Sequence, residues 1–174
     1  MLPPGHIAGG FLVGKIAAGI ASSLNQSEFF AWSSFFGFFP DLDFFLVFFK
    51  SKRFVNSDES INHRKFLTHA PLLYLVLFIA FYLLFPAYQL YAWAFLLGTW
   101  SHFFIDTFSA DGIPWLYPFS NKLYNYPLDH KKITIAETGF LKHWSQFIRE
   151  YTQIFSFKAE IFLIIIALIA LIYG

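Results

Sequence analysis

Apolar residues gather into five long segments, at 7–24, 29–49, 71–87, 90–108 and 159–173, and most polar residues fall in the connections between them. About 20 apolar residues carry a helix across a bilayer core, with a range near 17–25. The pattern therefore predicts an all-α integral membrane bundle of about five spans, folded as a single domain over residues 1–174. In the first segment, Gly10 and Gly14 stand at GxxxG spacing with Gly9, Ala17, Ala18 and Ala21 nearby. Small residues in this arrangement let membrane helices approach closely.

The connections are unequal. Residues 25–28 make a short turn, 51–70 a polar loop, and 109–158 a long stretch that opens with Gly112, Pro114, Pro118 and Pro127. Within that stretch Thr134-Ile-Ala-Glu137 has the form of a capping box. Phe140, Leu141, Trp144, Phe147, Ile148, Tyr151, Ile154 and Phe155 then recur at helical spacing, with Lys142, His143, Arg149 and Glu150 on the opposite face. The periodicity predicts an amphipathic helix over about 135–157, lying either in the membrane interface or on the protein's own loops.

Charge is scarce enough to set the compartment. Charged residues make up 13% of the chain and hydrophobic ones 57%, where a soluble domain carries about 25% charged residues. The solvent of this chain is lipid. Its net charge of +1 gives no basis for nucleic-acid binding. Cysteine is absent, so disulfides and thiolate metal sites are excluded. The N-terminus lacks the pattern of a removable signal peptide. With five spans, both long loops fall on the side of the N-terminus. Lys50, Lys52, Arg53, Arg64, Lys65, Lys122, Lys131, Lys132, Lys142, Arg149 and Lys158 all lie on or beside that side. The positive-inside rule makes it cytoplasmic.

Against this background His6, Asp41, Asp43, His63, His69, His102 and Asp106 stand out. A charge in membrane-grade sequence costs several kcal/mol unless something compensates it. On the five-span topology all seven fall in one shallow layer at the loop side, with Asp43 roughly 9 Å deep. His102 and Asp106 are spaced i, i+4 and share a helix face. Pro40 interrupts the helical pattern beside Asp41 and Asp43, and broken backbone at such depth is tolerated where it lines a cavity. Gly37 and Gly98 permit close packing upstream of these motifs. Imidazole and carboxylate donors suit zinc, with manganese or iron as alternatives, better than magnesium or calcium. The donors are too many for one tetrahedral zinc, so two or more ions are expected. Two-metal sites activate water and clamp phosphoryl oxygens. Arg64, beside His63, is suited to holding a phosphate, although it also fits the positive-inside pattern. Lys15 sits in the first span, where it either snorkels or pairs with an aspartate such as Asp43.

The order His6, Gly37-x-x-Pro40-Asp41-x-Asp43, His63-Arg64-x-x-x-Thr68-His69, Gly98-x-x-x-His102-x-x-x-Asp106 and Gly112-Ile-Pro-Trp-Leu-Tyr-Pro118 resembles the YdjM-like proteins. Those are described as LexA-regulated, membrane-bound, metal-dependent hydrolases. The match covers residues 5–120. Lys65 and Ala70 depart from the family pattern, and the tail after Ser120 matches nothing in it. The family is distantly similar to zinc-dependent phospholipase C, so the resemblance implies phosphoester hydrolysis, with the same seven residues as ligands. It leaves Glu137 as a further ligand, a general base or a plain helix cap. The combined reading is an inner-membrane hydrolase that acts at its cytoplasmic face on a lipid-like phosphoester, with Asp43, Arg64 and Glu137 as candidate catalytic groups. A metal-ion transporter and a non-catalytic regulatory membrane protein are the alternatives. Ligand-type residues that stop short of the far face argue against a transport path.

Overall fold

Two prolines open the first helix at no cost in hydrogen bonds, because the first-turn N–H groups of a helix have no partner within it. Helix α1 runs Pro3–Ile20, α2 Gln26–Phe38, α3 Pro71–Leu84, α4 Gln89–Thr107, α5 Phe140–Tyr151 and α6 Phe155–Tyr173. Single 3-10 turns occupy Phe39–Asp41, Leu67–His69 and Pro86–Tyr88. This computed structural model describes residues 2–20, 26–43, 49, 67–109, 111–126, 133 and 140–173. His63, Arg64 and the capping box at 134–137 lie outside the described residues. Among the described residues the fold is all-α, with one isolated antiparallel bridge between Ile113 and Tyr124.

Helices α1, α2 and α4 meet along a layer of glycines. A Cβ on Gly37 would come within 2.6 Å of the His6 carbonyl oxygen and 3.1 Å of Gly10 Cα. One on Gly98 would come within 2.5 Å of the Ser33 carbonyl oxygen and 3.0 Å of the Gly37 nitrogen. The contacts are backbone to backbone, so only glycine lets the three helices approach this far. Their pairing order makes α2 antiparallel to α1 and parallel to α4. Aromatic rings fill the space around the glycines: Phe36 packs edge-on to Phe95 at 5.2 Å, and Tyr74 of α3 packs on Phe95 and Phe103 of α4 at 5.4 and 5.1 Å. The start of α1, the end of α2, the start of α3 and the end of α4 consequently share one end of the bundle. Helix α6 runs parallel to α1, with Glu160 beside Gly5 and Ala170 beside Lys15.

The expectation of five full spans is narrowed. Helix α6 alone among the described helices is long and apolar enough to cross a bilayer, and most of its surface faces outward. Helices α3 and α4 meet that test only as a pair, bent by 118° at Phe85. The reasons are local. Helix α2 has 13 residues, about 20 Å at 1.5 Å per residue, against a core of about 30 Å. Helix α1 is diluted by glycine, proline, His6 and Lys15.

The C-terminal region also differs from its predicted pattern. The amphipathic helix stops at Tyr151, and a break at residues 152–154 precedes α6, which begins at Phe155 rather than at 159. No glycine or proline marks the break, and the apolar spacing continues through it. The helix is also rotated from the predicted orientation. His143 is buried on the inward face with Tyr151, and the Phe147 and Tyr151 rings stack at 5.5 Å. Leu141 is 79% exposed and Ile148 is 54% exposed. They present an outward apolar stripe beside exposed Lys142 and Arg149.

Candidate metal centre

Each donor is delivered by an element end that proline or helix spacing sets. His6 lies in the first turn of α1, behind Pro3 and Pro4. Asp41 closes the 3-10 turn that contains Pro40. His69 closes the turn Leu67–His69, and Ala70 is extended (φ −102°, ψ 97°) because Pro71 follows it. His102 and Asp106 occupy the last two turns of α4. His6, Asp41, Asp43, His69, His102 and Asp106 are all buried and share the same end of the bundle.

The spacing of the donor atoms is informative. His6 Nε2 lies 3.4 Å from Asp106 Oδ1 and 3.8 Å from Asp41 Oδ2. His102 Nε2 lies 3.7 Å from Asp41 Oδ1 and 3.6 Å from Asp106 Oδ2. His69 Nε2 lies 3.6 Å from Asp41 Oδ1. These separations exceed the usual 2.7–3.2 Å of a direct hydrogen bond. They match the edge of a tetrahedral coordination shell, about 3.4 Å for metal–ligand bonds near 2.05 Å. His6, Asp41 and His102 form one triad of donors able to converge on an ion, and His69, His102 and Asp106 form another. Both ring nitrogens of His6 and the Nε2 of His102 are buried without a hydrogen-bond partner among the described residues. Buried polar atoms normally find partners, and an unpartnered imidazole lone pair on each ring, close to carboxylate oxygens, fits a divalent cation.

The surrounding groups prepare those lone pairs. His102 Nδ1 is 2.9 Å from the Gly37 carbonyl oxygen. A carbonyl only accepts, so Nδ1 carries the hydrogen and Nε2 is free to bind metal. On His69 the same work falls to Asp43, whose Oδ2 sits 3.2 Å from Nδ1 and also accepts the Thr68 hydroxyl. Burial opposes charge on His69, but the neighbouring carboxylates of Asp41 and Asp43 outweigh it and raise its pKa. His6 is held differently: its ring stacks on that of His102 at 3.9 Å and 27°.

The structure thus brings together the described candidates, with Asp43 behind His69 and outside both triads. Among the described residues Lys15 pairs with no aspartate. Its ammonium donates to the Ala170 carbonyl in the last turn of α6 and lies 5.9 Å from the centres of the Phe11 and Phe30 rings. Glu160 does not stand out in the sequence, which marks its partner Tyr151 only as part of a helix face. Glu160 is buried in α6 and takes hydrogen bonds from the Gly5 N–H and the Tyr151 hydroxyl. Burial and then the bond to Glu160 raise the pKa of Tyr151. The only signal for Glu160 is a lone carboxylate at the head of an otherwise apolar helix.

The loop after α4 packs against the end of the bundle that carries the donors. Gly112 adopts φ +73°, and a Cβ there would meet the Tyr124 carbonyl oxygen at 2.7 Å. Ile113 and Tyr124 exchange backbone hydrogen bonds at 2.9 Å, burying Ile113 against Tyr74 and Phe103. Trp115 Nε1 donates to Thr107 Oγ1 at 2.8 Å, one residue beyond Asp106.

Comparison with curated proteins yields no match, and neither does comparison with solved structures. A family model does match, over residues 1–174 and so over the tail after Ser120 as well, and by that match the chain belongs to the family described as YdjM inner membrane protein.

Proposed function

We propose that this protein is a membrane-embedded, metal-dependent hydrolase that cleaves a phosphoester, with a lipid-like substrate reaching the centre from the bilayer at the cytoplasmic face. The observation that carries the reading is the donor geometry. Imidazole nitrogens and carboxylate oxygens stand 3.4–3.8 Å apart, too far to bond one another and well spaced to share ions. The donor set favours zinc, with manganese or iron as alternatives; the two triads share His102, whose one free nitrogen serves a single ion, so a second ion would draw on bridging carboxylates and on donors beyond these triads.

His6, Asp41, His69, His102 and Asp106 would hold the metal. Bound divalent ions acidify water and polarise phosphoryl oxygens, the chemistry of phosphoester hydrolysis and of zinc-dependent phospholipase C. Gly37 keeps the proton of His102 on Nδ1, and Asp43 keeps that of His69 on Nδ1, so both rings present Nε2. Asp43 is therefore assigned to orientation rather than to attack. Phe103, whose ring lies 5.6 Å from that of His102 and 6.5 Å from that of His69, packs with Ile113 and Trp115 and gives the site an apolar wall. His63 as a ligand, Arg64 as the phosphate clamp and Glu137 as a base rest on their places in the sequence.

Support for a lipid-like substrate comes from position. The donors lie at the ends of apolar helices, beside a helix with outward-facing Leu141 and Ile148. A transit site is disfavoured because the described polar contacts away from this end, Tyr91 to Glu28 and Lys15 to Ala170, offer no second donor cluster. The test is to purify the protein in detergent, measure bound metal, and assay phospholipids and phosphorylated lipids. Hydrolysis that is lost on chelation, restored by zinc or manganese and abolished in His102→Ala supports the proposal. A folded protein that binds no metal ends it.

A further inference from the structure

We propose that Glu160 is a positioning residue of the metal centre. It fixes the first turn of α1, and with it His6, so that the last helix is a working part of the site rather than a membrane anchor alone. The inference rests on the metal-centre reading above and concerns how one of its ligands is held.

His6 poses the question. His102 is oriented by the Gly37 carbonyl and His69 by Asp43. Neither ring nitrogen of His6 has a hydrogen-bond partner among the described residues. The direction of its ring therefore depends on stacking against His102 and on where the backbone of residues 5 and 6 sits. That backbone is weakly determined by α1 itself. Pro3 and Pro4 have no N–H, and first-turn donors have no acceptor within their own helix. The Gly5 N–H is the first donor available, and it is shared between Leu2 O at 3.1 Å and Glu160 Oε1 at 3.1 Å.

Glu160 is built to make this contact and little else. It is 3% exposed, and no described cation pairs with it. Its second oxygen accepts the Tyr151 hydroxyl, which ties the clip to α5 as well. A Cβ on Gly5 would lie 2.9 Å from Glu160 Cγ, so the carboxylate reaches the backbone only because residue 5 is glycine. The negative group also sits at the positive end of α1, where a helix favours an anion. A carboxylate in membrane-grade sequence is expensive. Packing alone anchors an apolar helix, so anchoring does not require one.

The experiment uses the full chain purified in detergent, loaded with Zn2+ or with Co2+ as a spectroscopic probe. Affinity, stoichiometry, the Co2+ absorption spectrum and the melting temperature are compared for wild type, Glu160→Ala, Glu160→Gln and Tyr151→Phe. Glu160→Ala is expected to weaken metal binding by about 10–100-fold, the usual effect of losing an outer partner of a ligand, and to alter the Co2+ spectrum. Glu160→Gln still accepts from Gly5 and can donate to the Tyr151 oxygen, so it is expected to rescue both readouts. Tyr151→Phe, which removes one of the two bonds, falls between. Wild-type affinity and spectrum in Glu160→Ala overturn the inference, as does failure of Glu160→Gln to rescue. If Glu160→Ala does not fold, Tyr151→Phe decides, and an unchanged affinity and spectrum there overturn it. Absence of metal binding in the wild type is a different result, and it strikes the proposed function instead.

Discussion

His102 donates its Nδ1 hydrogen to the carbonyl of Gly37 across 2.9 Å, and this bond ties the candidate metal centre to the glycine layer of the bundle. Gly37 supplies both a close backbone approach to α1 and the acceptor that sets the tautomer of a candidate ligand. Helix packing and ligand chemistry are therefore linked at one backbone position.

Gly37→Ala tests that link. The new methyl would meet the His6 carbonyl and Gly10 Cα, which are backbone and cannot rotate away. Overpacking of this kind costs about 1–3 kcal/mol, and displacement of the Gly37 carbonyl should lower metal affinity as well. Gly19→Ala is the control, since nothing lies within 4 Å of its Cβ position. Its expected effect is a stabilisation of about 0.4–1 kcal/mol with metal binding unchanged. Thermal melts in detergent and metal titrations of both variants check the pair.

Asp41 and Asp43 should behave differently although they are two residues apart. Asp41 lies within 4 Å of ring nitrogens of His6, His69 and His102, whereas Asp43 stands behind His69. Asp41→Asn is expected to abolish stable metal binding. Asp43→Asn is expected to weaken it by about 10–100-fold, as for other partners of ligating histidines. Metal content after desalting, followed by titration, separates the two. The reverse order would place Asp43 among the ligands.

The contrast shows what sequence alone made readable. His102 and Asp106 could be paired from their i, i+4 spacing, because helix geometry is local. Gly37 and Gly98 could be named as close-packing positions for the same reason. The division of labour between Asp41 and Asp43 could not, since it depends on how the turn Phe39–Asp41 meets the turn Leu67–His69 across the bundle. Glu160 was invisible because its partners, Gly5 and Tyr151, lie 155 and 9 residues away. Apolar spacing that runs unbroken through residues 152–154 concealed the boundary between α5 and α6. Apolar composition does not report helix length, and among the described helices α6 alone is long and apolar enough to cross a bilayer by itself.

Metal binding should depend on pH in a direction set by His69. Its pKa is raised by Asp41 and Asp43 against the effect of burial, so the metal-free centre holds this proton more tightly than an ordinary histidine does. A metal ligand must be deprotonated. Apparent affinity is therefore expected to rise with pH through the raised pKa, and to begin falling at a higher pH than an unperturbed histidine near about 6.5 would cause. Co2+ titrations across that range, with proton release measured alongside, check the sign. Affinity that is flat or higher at acid pH contradicts it.

Lys15 should matter to the bundle and not to the metal. Its ammonium caps the C-terminal end of α6 through the Ala170 carbonyl and lies near the Phe11 and Phe30 rings. Cations at a helix C-terminus contribute about 0.3–1 kcal/mol, and that is the loss expected for Lys15→Met, which keeps most of the apolar stem. Nine residues separate Lys15 from His6, about 14 Å along the helix axis, so metal stoichiometry and affinity should stay at wild-type values. A lower melting temperature with unchanged metal titration fits a capping role. A parallel loss of metal would instead mean that the far end of α6 and the centre are coupled through the contact between α1 and α6.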